Sequence, residues 1–419
     1  MGNRLGMEVS IAAAEAVKMA NVDVVAAYPI TPQTHVVEKL SEFVANGELE
    51  AEYVTVESEH SAMSVSIGSQ ATGARTFTST SSQGLALMSE LVPIASALRL
   101  PLVMLLVNRS LSAPLSIWND HSDVMSIRDS GCIQIFTKNG QEVYDHIFSA
   151  YKIAENHNVL LPVIINMDGF ILSHTFEPVE LMESGIINEY LPPYEPVKTL
   201  HPQEPVTMGA YATPALFTEA KKAHDQALSN SYPYILEAWE SWGKASGRHY
   251  RPLEEYYTRD AETIIITMGS LSETASEAVK TMREQGKKTG LIELRLWRPF
   301  PFDQLRRATA GAKKLVVIDR ALSSGGPGGP VASEIRSALY PGRNQPRVNN
   351  FIVGLGGRDV TVNDFIQLAE APVPEDAAVP AAVGTSPHAT TSTHTSSGAS
   401  VETPARTSKK PYEIYGARE

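Results

Sequence analysis

Three short stretches carry the side chains best suited to chemistry: Tyr28-Pro29-Ile30-Thr31-Pro32, Val56-Glu57-Ser58-Glu59-His60-Ser61-Ala62 and Thr76-Phe77-Thr78-Ser79-Thr80-Ser81-Ser82-Gln83-Gly84. In each, an apolar or β-rich run ends in small polar residues and passes into a helical pattern, as a parallel strand does at its carboxyl end. That edge of an open α/β sheet is where ligands bind, and it holds a hydroxyl, Thr31, and a carboxyl, Glu59. The next strand closes on Arg109, whose planar guanidinium can grip a carboxylate through two parallel hydrogen bonds. Each of these residues also has a bland use. Acids commonly open helices, Thr31 followed by Pro32 makes an N-cap and first helical residue, and an arginine is often a solvated surface group. Glu57 competes with Glu59 for the carboxyl role.

Other polar clusters carry less. Asp120-His121-Ser122-Asp123 invites a metal reading, but adjacent His and Asp cannot both aim at one ion without a strained turn, so a loop hydrogen-bond network is expected, with Asp120 and His121 supporting the site from behind and no metal. Gly325-Gly326-Pro327-Gly328-Gly329-Pro330 lacks two backbone donors and suits a rigid turn before a helix better than a phosphate cradle. Met167-Asp168-Gly169 reads as a strand end. His388 and His394 lie in a tract too poor in apolar residues to fold.

The elements around these stretches repeat a strand–turn–helix unit. Strands are expected over 22–27, 53–56, 75–80, 100–107, 133–137 and 160–167, with helices over 10–20 (Ser10 as N-cap), from Thr31, from near Glu59 and over 83–98. Six strands alternating with helices predict a doubly wound parallel sheet. Residues 175–258, rich in proline, read as a long wrapping connection with an aromatic-rich helix over 232–242. From 262 a second, smaller α/β pattern runs to about 355. The expected organisation is therefore a first domain over 1–258, a second over 259–370, a disordered linker over 371–409 dominated by Pro, Ala, Ser and Thr, and a terminal segment over 410–419. Its Pro411-Tyr412-Glu413-Ile414-Tyr415-Gly416 has the character of a docking peptide, with a random tail as the alternative.

Composition narrows the function. A net charge of −12 speaks against nucleic-acid binding. The single cysteine, Cys132, precludes both an internal disulfide and an iron–sulfur cluster held by this chain alone. No apolar run approaches the roughly 20 residues of a membrane span, and the N-terminus lacks a signal-peptide core, so a cytoplasmic protein is expected.

With these stretches in hand, the chain resembles the alpha subunit of the 2-oxoacid:ferredoxin oxidoreductases, the family of pyruvate:ferredoxin oxidoreductase. The resemblance covers about residues 1–360 and rests on the joint order of Tyr28-Pro-Ile-Thr31-Pro, Ser58-Glu59-His60-Ser-Ala, Ser81-Ser-Gln-Gly84, Asn108-Arg109 and Trp118-Asn-Asp120-His121-Ser-Asp123-Val-Met125. It implies a pyrimidine-binding thiamine diphosphate domain followed by a transketolase C-terminal-like domain. It also implies oxidative decarboxylation of a 2-oxoacid with coenzyme A to an acyl-CoA and carbon dioxide. Glu59 would meet the aminopyrimidine ring of the cofactor, and Thr31 and Arg109 would bind the substrate. The diphosphate and its Mg²⁺ belong in this family to a Gly-Asp-Gly segment of the beta subunit. This chain lacks that segment, so a beta partner is expected, with iron–sulfur clusters on gamma and ferredoxin-like delta subunits. Pyruvate, branched-chain acids, 2-oxoglutarate and aryl acids such as phenylglyoxylate all remain open. So do a transketolase-like or lipoamide-linked enzyme half and a non-catalytic scaffold.

Overall fold

The computed structural model describes residues 3–342, 345–372 and 412–417. His388, His394 and the rest of the expected linker from residue 373 lie outside them. In chain order the strands of the first part are β1 (Asn3–Glu8), β2 (Val24–Ala27), β3 (Glu52–Thr55), β4 (Thr76–Thr80), β5 (Val103–Asn108), β6 (Ile133–Phe136), β7 (Val163–Asp168) and β8 (Phe176–Leu181). Those of the second part are β9 (Leu253–Tyr256), β10 (Thr263–Thr267), β11 (Thr289–Leu294), β12 (Leu296–Arg298), β13 (Lys314–Asp319), β14 (Arg347–Ile352) and β15 (Glu413–Ile414).

The first sheet runs β12-β6-β7-β5-β4-β2-β3. Its six inner and far-edge members are parallel, as the alternating pattern requires, and β12 adds a seventh, antiparallel to β6. Strand order reverses at β2: the chain steps outward to β3 and then back across β2 to β4. Such a reversal opens a crevice at the carboxyl ends of the strands on either side. The three chemistry-bearing stretches converge on that crevice. The second sheet, β15-β14-β13-β10-β11-β9, is parallel apart from β9. A division at residue 258 is crossed in both directions. β9, before it, closes the second sheet, whereas β12, after it, closes the first.

Helix boundaries follow local chemistry, sometimes against the expectation. Glu59–Ala71 starts as expected, with Ser58 Oγ accepting from Ser61 N at 3.2 Å. Thr31 is not an N-cap. The helix begins at Thr34, because residues 28–33 are held instead as a loop by Gln33, whose buried amide donates to the carbonyls of Ser79 (2.9 Å) and Tyr28 (3.3 Å). Ser10 is likewise no cap but lies inside Val9–Met19, with its hydroxyl on Ser173 O. The helix expected over 83–98 is two, Ser82–Met88 and Val92–Ala97, the second opening with Pro93 in its first turn.

Five described α-helices have no counterpart in the sequence reading: the short Ser122–Ser126 and Ser184–Tyr190, Val362–Glu370, and the two longest of the five, Gly140–Ala154 and Pro214–Asn230. Gly140–Ala154 is buried nearly all round: besides its apolar stripe of Val143, Ile147 and Tyr151, its polar Glu142, Asp145, His146 and Ser149 are buried as well. It packs on the alanine-rich face of Val9–Met19, and its Phe148 stacks on Trp242 at 5.4 Å. Pro214–Asn230 is the opposite case, almost wholly exposed.

Two buried charge clusters lock the sheets together. In one, Arg295 Nη2 contacts Glu142 (2.7 Å) and Glu293 (3.1 Å), its Nη1 contacts Glu254 (3.0 Å), and Lys138 meets Glu293 at 2.8 Å. In the other, Asp168 at the end of β7 accepts from Arg320 Nη1 (2.8 Å) and Ser270 N (2.9 Å), bonds the Ser270 hydroxyl, and lies 2.9 Å from His121 Nε2. Burial pushes the Asp168 carboxyl up, but Arg320 and His121 outweigh it and hold it below the usual carboxylate range. Because the folded state binds that proton more weakly than the unfolded chain, this stabilisation is present above the unfolded pKa near 4 and is lost as the pH falls below it. Asp168→Ala strands Arg320 in a buried setting and should cost about 3–5 kcal/mol, read as a lowered midpoint in denaturant unfolding at neutral pH.

Candidate active site

The crevice is built from the loops that leave β2, β4 and β5 and from the first turn of Glu59–Ala71. Glu59 is the first residue of that helix and is buried, at 7% exposure. Its carboxylate has no hydrogen-bond or ion-pair partner among the described residues. Glu57 stands in solvent, its carboxyl taken by the Ser61 hydroxyl at 2.9 Å, which also lowers its pKa. Two carboxyls two positions apart thus differ completely in setting. A Cβ at Gly84 would lie 2.7 Å from Glu59 Oε1 and 2.8 Å from its Cγ, so glycine is required where Ser82–Met88 passes over the acid. The buried Thr80 hydroxyl reaches the same Gly84 position and makes no hydrogen bond among the described residues; those of Thr78, Ser79 and Ser81 are likewise unpaired, but successive residues of a strand face opposite sides of the sheet. Buried polar atoms are normally paired, so Thr80 Oγ1 is open to a group that arrives beside Glu59.

Thr31 is exposed and Arg109 is buried, and the two meet through the backbone: Arg109 Nη1 donates to Thr31 O at 2.8 Å. Arg109 Nε donates to Ser116 O, also at 2.8 Å. Two of its three nitrogens are therefore spent on shaping the loops, and Nη2 is left for a ligand. A grip using the Nε edge of the fork would need the Ser116 contact to break.

Asp123 is the residue behind this arrangement; the sequence reading placed it in the loop's hydrogen-bond network but singled out only Asp120 and His121 as supporting residues. Fully buried, it accepts from Ser82 N (3.1 Å), Arg109 N (2.9 Å), Asn108 Nδ2 (3.0 Å) and Val124 N (2.7 Å). It so joins the β4 and β5 loops, and it holds Ser82 at φ 45°, a left-handed conformation that costs a non-glycine residue about 1–2 kcal/mol. Asp120 caps its own loop through Ser122 N (2.9 Å) and Oγ (2.5 Å), and His121 turns inward to Asp168 against the Phe136 ring. In the glycine run, Asp319 fills the N-terminus of Pro330–Leu339, accepting from Val331 N (2.8 Å) and Ala332 N (3.1 Å). The chain's own carboxylate therefore occupies the place a phosphate would take. A cleft of about 820 Å³ between Arg128, His224, Tyr232 and Phe302 lies apart from all of these residues.

Burial pushes the Asp123 carboxyl up to about 6, against its hydrogen-bond donors. A carboxyl whose pKa is raised by folding makes the folded state lose stability as the pH rises from about 4 to about 6. Asp123→Asn presents an amide NH₂ to partners that can only donate. It should cost about 1–3 kcal/mol at pH 7 and flatten that part of the stability–pH curve, as followed by urea unfolding at pH 4 to 7.

Comparison with known proteins gives the chain its family. The family described as pyruvate flavodoxin/ferredoxin oxidoreductase, thiamine diphosphate-binding, matches residues 15–238, and pyruvate:ferredoxin oxidoreductase core domain II matches 261–365. Pyruvate synthase subunit PorA of Methanocaldococcus jannaschii is 48% identical over 357 residues, which is 84% of this chain and 91% of that protein. Ketoisovalerate oxidoreductase subunit VorA of Pyrococcus abyssi is 45% identical over 361 residues, 86% of this chain and 91% of that one. Among solved structures, 2-oxoglutarate:ferredoxin oxidoreductase from Magnetococcus marinus, determined with 2-oxoglutarate, coenzyme A and succinyl-CoA bound, superposes with a TM-score of 0.67 at 18% identity over 88% of this chain and 65% of that chain. A split-gene transketolase superposes with a TM-score of 0.51 at 11% identity, over 87% of this chain and 98% of that one, a likeness of fold. The chain belongs to the pyruvate flavodoxin/ferredoxin oxidoreductase family, and within it to the thiamine diphosphate-binding alpha subunits of the 2-oxoacid:ferredoxin oxidoreductases.

Proposed function

We propose that this subunit supplies the proton-handling carboxyl and the substrate-binding arginine of a CoA-acylating 2-oxoacid oxidoreductase, with Glu59 as the catalytic residue. The observation that carries the reading is a buried carboxylate without a partner among the described residues, beside the buried and equally unpaired Thr80 hydroxyl at the switch-point crevice. Thiamine diphosphate, when bound, supplies a nucleophilic thiazolium carbon and the electron sink for decarboxylation. Glu59 would hold its aminopyrimidine end, sharing a proton with a ring nitrogen through a carboxylate oxygen. Gly84 and the first turn of Ser82–Met88 keep that oxygen away from bulk water. Arg109, through Nη2, would orient the carboxylate of the oxoacid, and the Thr31 hydroxyl, free at the crevice mouth, would donate to the same substrate. Asp120 and His121 keep the loop between them in place.

The diphosphate and Mg²⁺ would sit on a beta subunit, and the electrons would pass to iron–sulfur gamma and delta subunits. The similarity to PorA and VorA chains supports pyruvate or a branched-chain 2-oxoacid as substrate. An aryl acid such as phenylglyoxylate is the third candidate. A cytoplasmic location is part of this reading; no described helix is long and apolar enough to cross a membrane.

In the assembled complex, Glu59→Gln should lower oxoacid- and CoA-dependent viologen reduction by about 10²–10⁴-fold while leaving subunit composition unchanged; retention of full activity would refute the assignment. Arg109→Lys should raise KM for the oxoacid about 10- to 100-fold and affect KM for coenzyme A far less, as measured across pyruvate, 2-oxoisovalerate, 2-oxoglutarate and phenylglyoxylate.

A further inference from the structure

Strand β14 would be the bare edge of the second sheet, and unpaired edges are sites where another strand adds. Here the position is filled by the end of the same chain. Glu413–Ile414 runs parallel to β14 with Phe351 opposite Glu413 and Ile352 opposite Ile414, and Tyr415 N donates to Ile352 O at 3.0 Å. Tyr415 packs, with Val360 and Val362, against the apolar cluster that includes Phe351 and Phe365. Its hydroxyl lies 2.9 Å from both Asp364 Oδ1 and Gln367 Oε1 on the helix Val362–Glu370. Gly416, at φ 74°, turns the chain out of the strand, and its carbonyl accepts from the Arg358 guanidinium. A backbone ladder, a side-chain pocket and a carbonyl clamp are the parts from which strand-addition recognition of peptides is made.

The clamp reaches toward the candidate active site. Next to Arg358, Gly357 N donates to Asn119 O at 2.7 Å, and Gly356 N lies 3.4 Å from Asp120 Oδ2. A Cβ on Gly357 would come within 2.6 Å of Trp118 Cβ. The turn grasped by the C-terminus is thus the same turn that abuts residues 118–120.

We propose that β14 and the helix Val362–Glu370 form a binding site for an extended peptide, that its resident ligand is residues 412–417 of the same chain, and that their docking steadies the 354–358 turn against the 118–120 loop. The occupant in cis follows from chain length. Residues 373–411 span up to about 130 Å when fully extended, ample to return to the domain they leave at Pro372, and a tethered segment sees its site at an effective concentration of about millimolar. A short ladder that is weak in trans is then occupied in cis. The docking does not depend on the cofactor assignment, and its readout below does not use activity.

Hydrogen exchange tests it on the full chain and on a chain ending at Ser408, each with and without a synthetic peptide of residues 411–419. Removal of the terminus should speed exchange of amides in 350–354 and 356–358 by at least about tenfold. Added peptide should restore protection saturably, with a Kd of about 10⁻⁴–10⁻³ M, and a Tyr415→Ala peptide should fail to do so. Equal exchange in the two chains, or no protection at millimolar peptide, would overturn the proposal. Protection of the full chain that falls on dilution would place the terminus on a second copy and overturn the cis assignment.

Discussion

A carboxylate removed from water is tolerated only when its surroundings replace the lost hydration, and Asp168 is where this fold meets that demand most fully. Standing at the end of β7, it draws in Arg320 and Ser270 from the second domain and His121 from the loop over the crevice. His121 sits between Asp120 and Ser122, so the loop that backs Arg109 is positioned by a contact that spans both sheets. An isolated buried ion pair is weak support for stability. This one is embedded among hydrogen bonds and fixes how two domains meet, which is the use of buried charge best matched to its cost.

The same logic separates two kinds of buried acid in this chain. Asp123, Asp168 and Asp319 are surrounded by donors and serve as internal anchors for loops, a strand end and a helix N-terminus. Glu59 is slightly less buried, at 7% exposure, and has no donor among the described residues. That contrast is the physical ground on which the proposed role of Glu59 rests.

Much of this was legible before any coordinates. The β-rich runs ending in small polar residues placed Thr31, Glu59 and Arg109 at strand ends, and their elements fall where those runs predict. Most of the misses have physical causes. Thr31 and Pro32 carry the local marks of a helix start, but a glutamine that local rules ignore, Gln33, pins the loop to β4 from a sequence distance of 46 residues. The helix Gly140–Ala154 carries a helical apolar period in Val143, Ile147 and Tyr151 that the sequence reading passed over, and its polar face is buried too. Asp123 looks like one more polar loop residue until the chain folds and brings Ser82 and Asn108 to it. That Arg109 spends Nη1 and Nε on backbone carbonyls could not be read from a residue type.

The strand β12 leaves the second domain's sequence to complete the first domain's sheet, while β9 does the reverse. Neither half is then a self-sufficient module. Cutting the gene at residue 258 would leave β6 with naked backbone groups along one side and deprive β11 of its neighbour, producing two sticky fragments in place of two folding units. A cut anywhere between Leu253 and Arg298 therefore severs one sheet or the other from an edge strand.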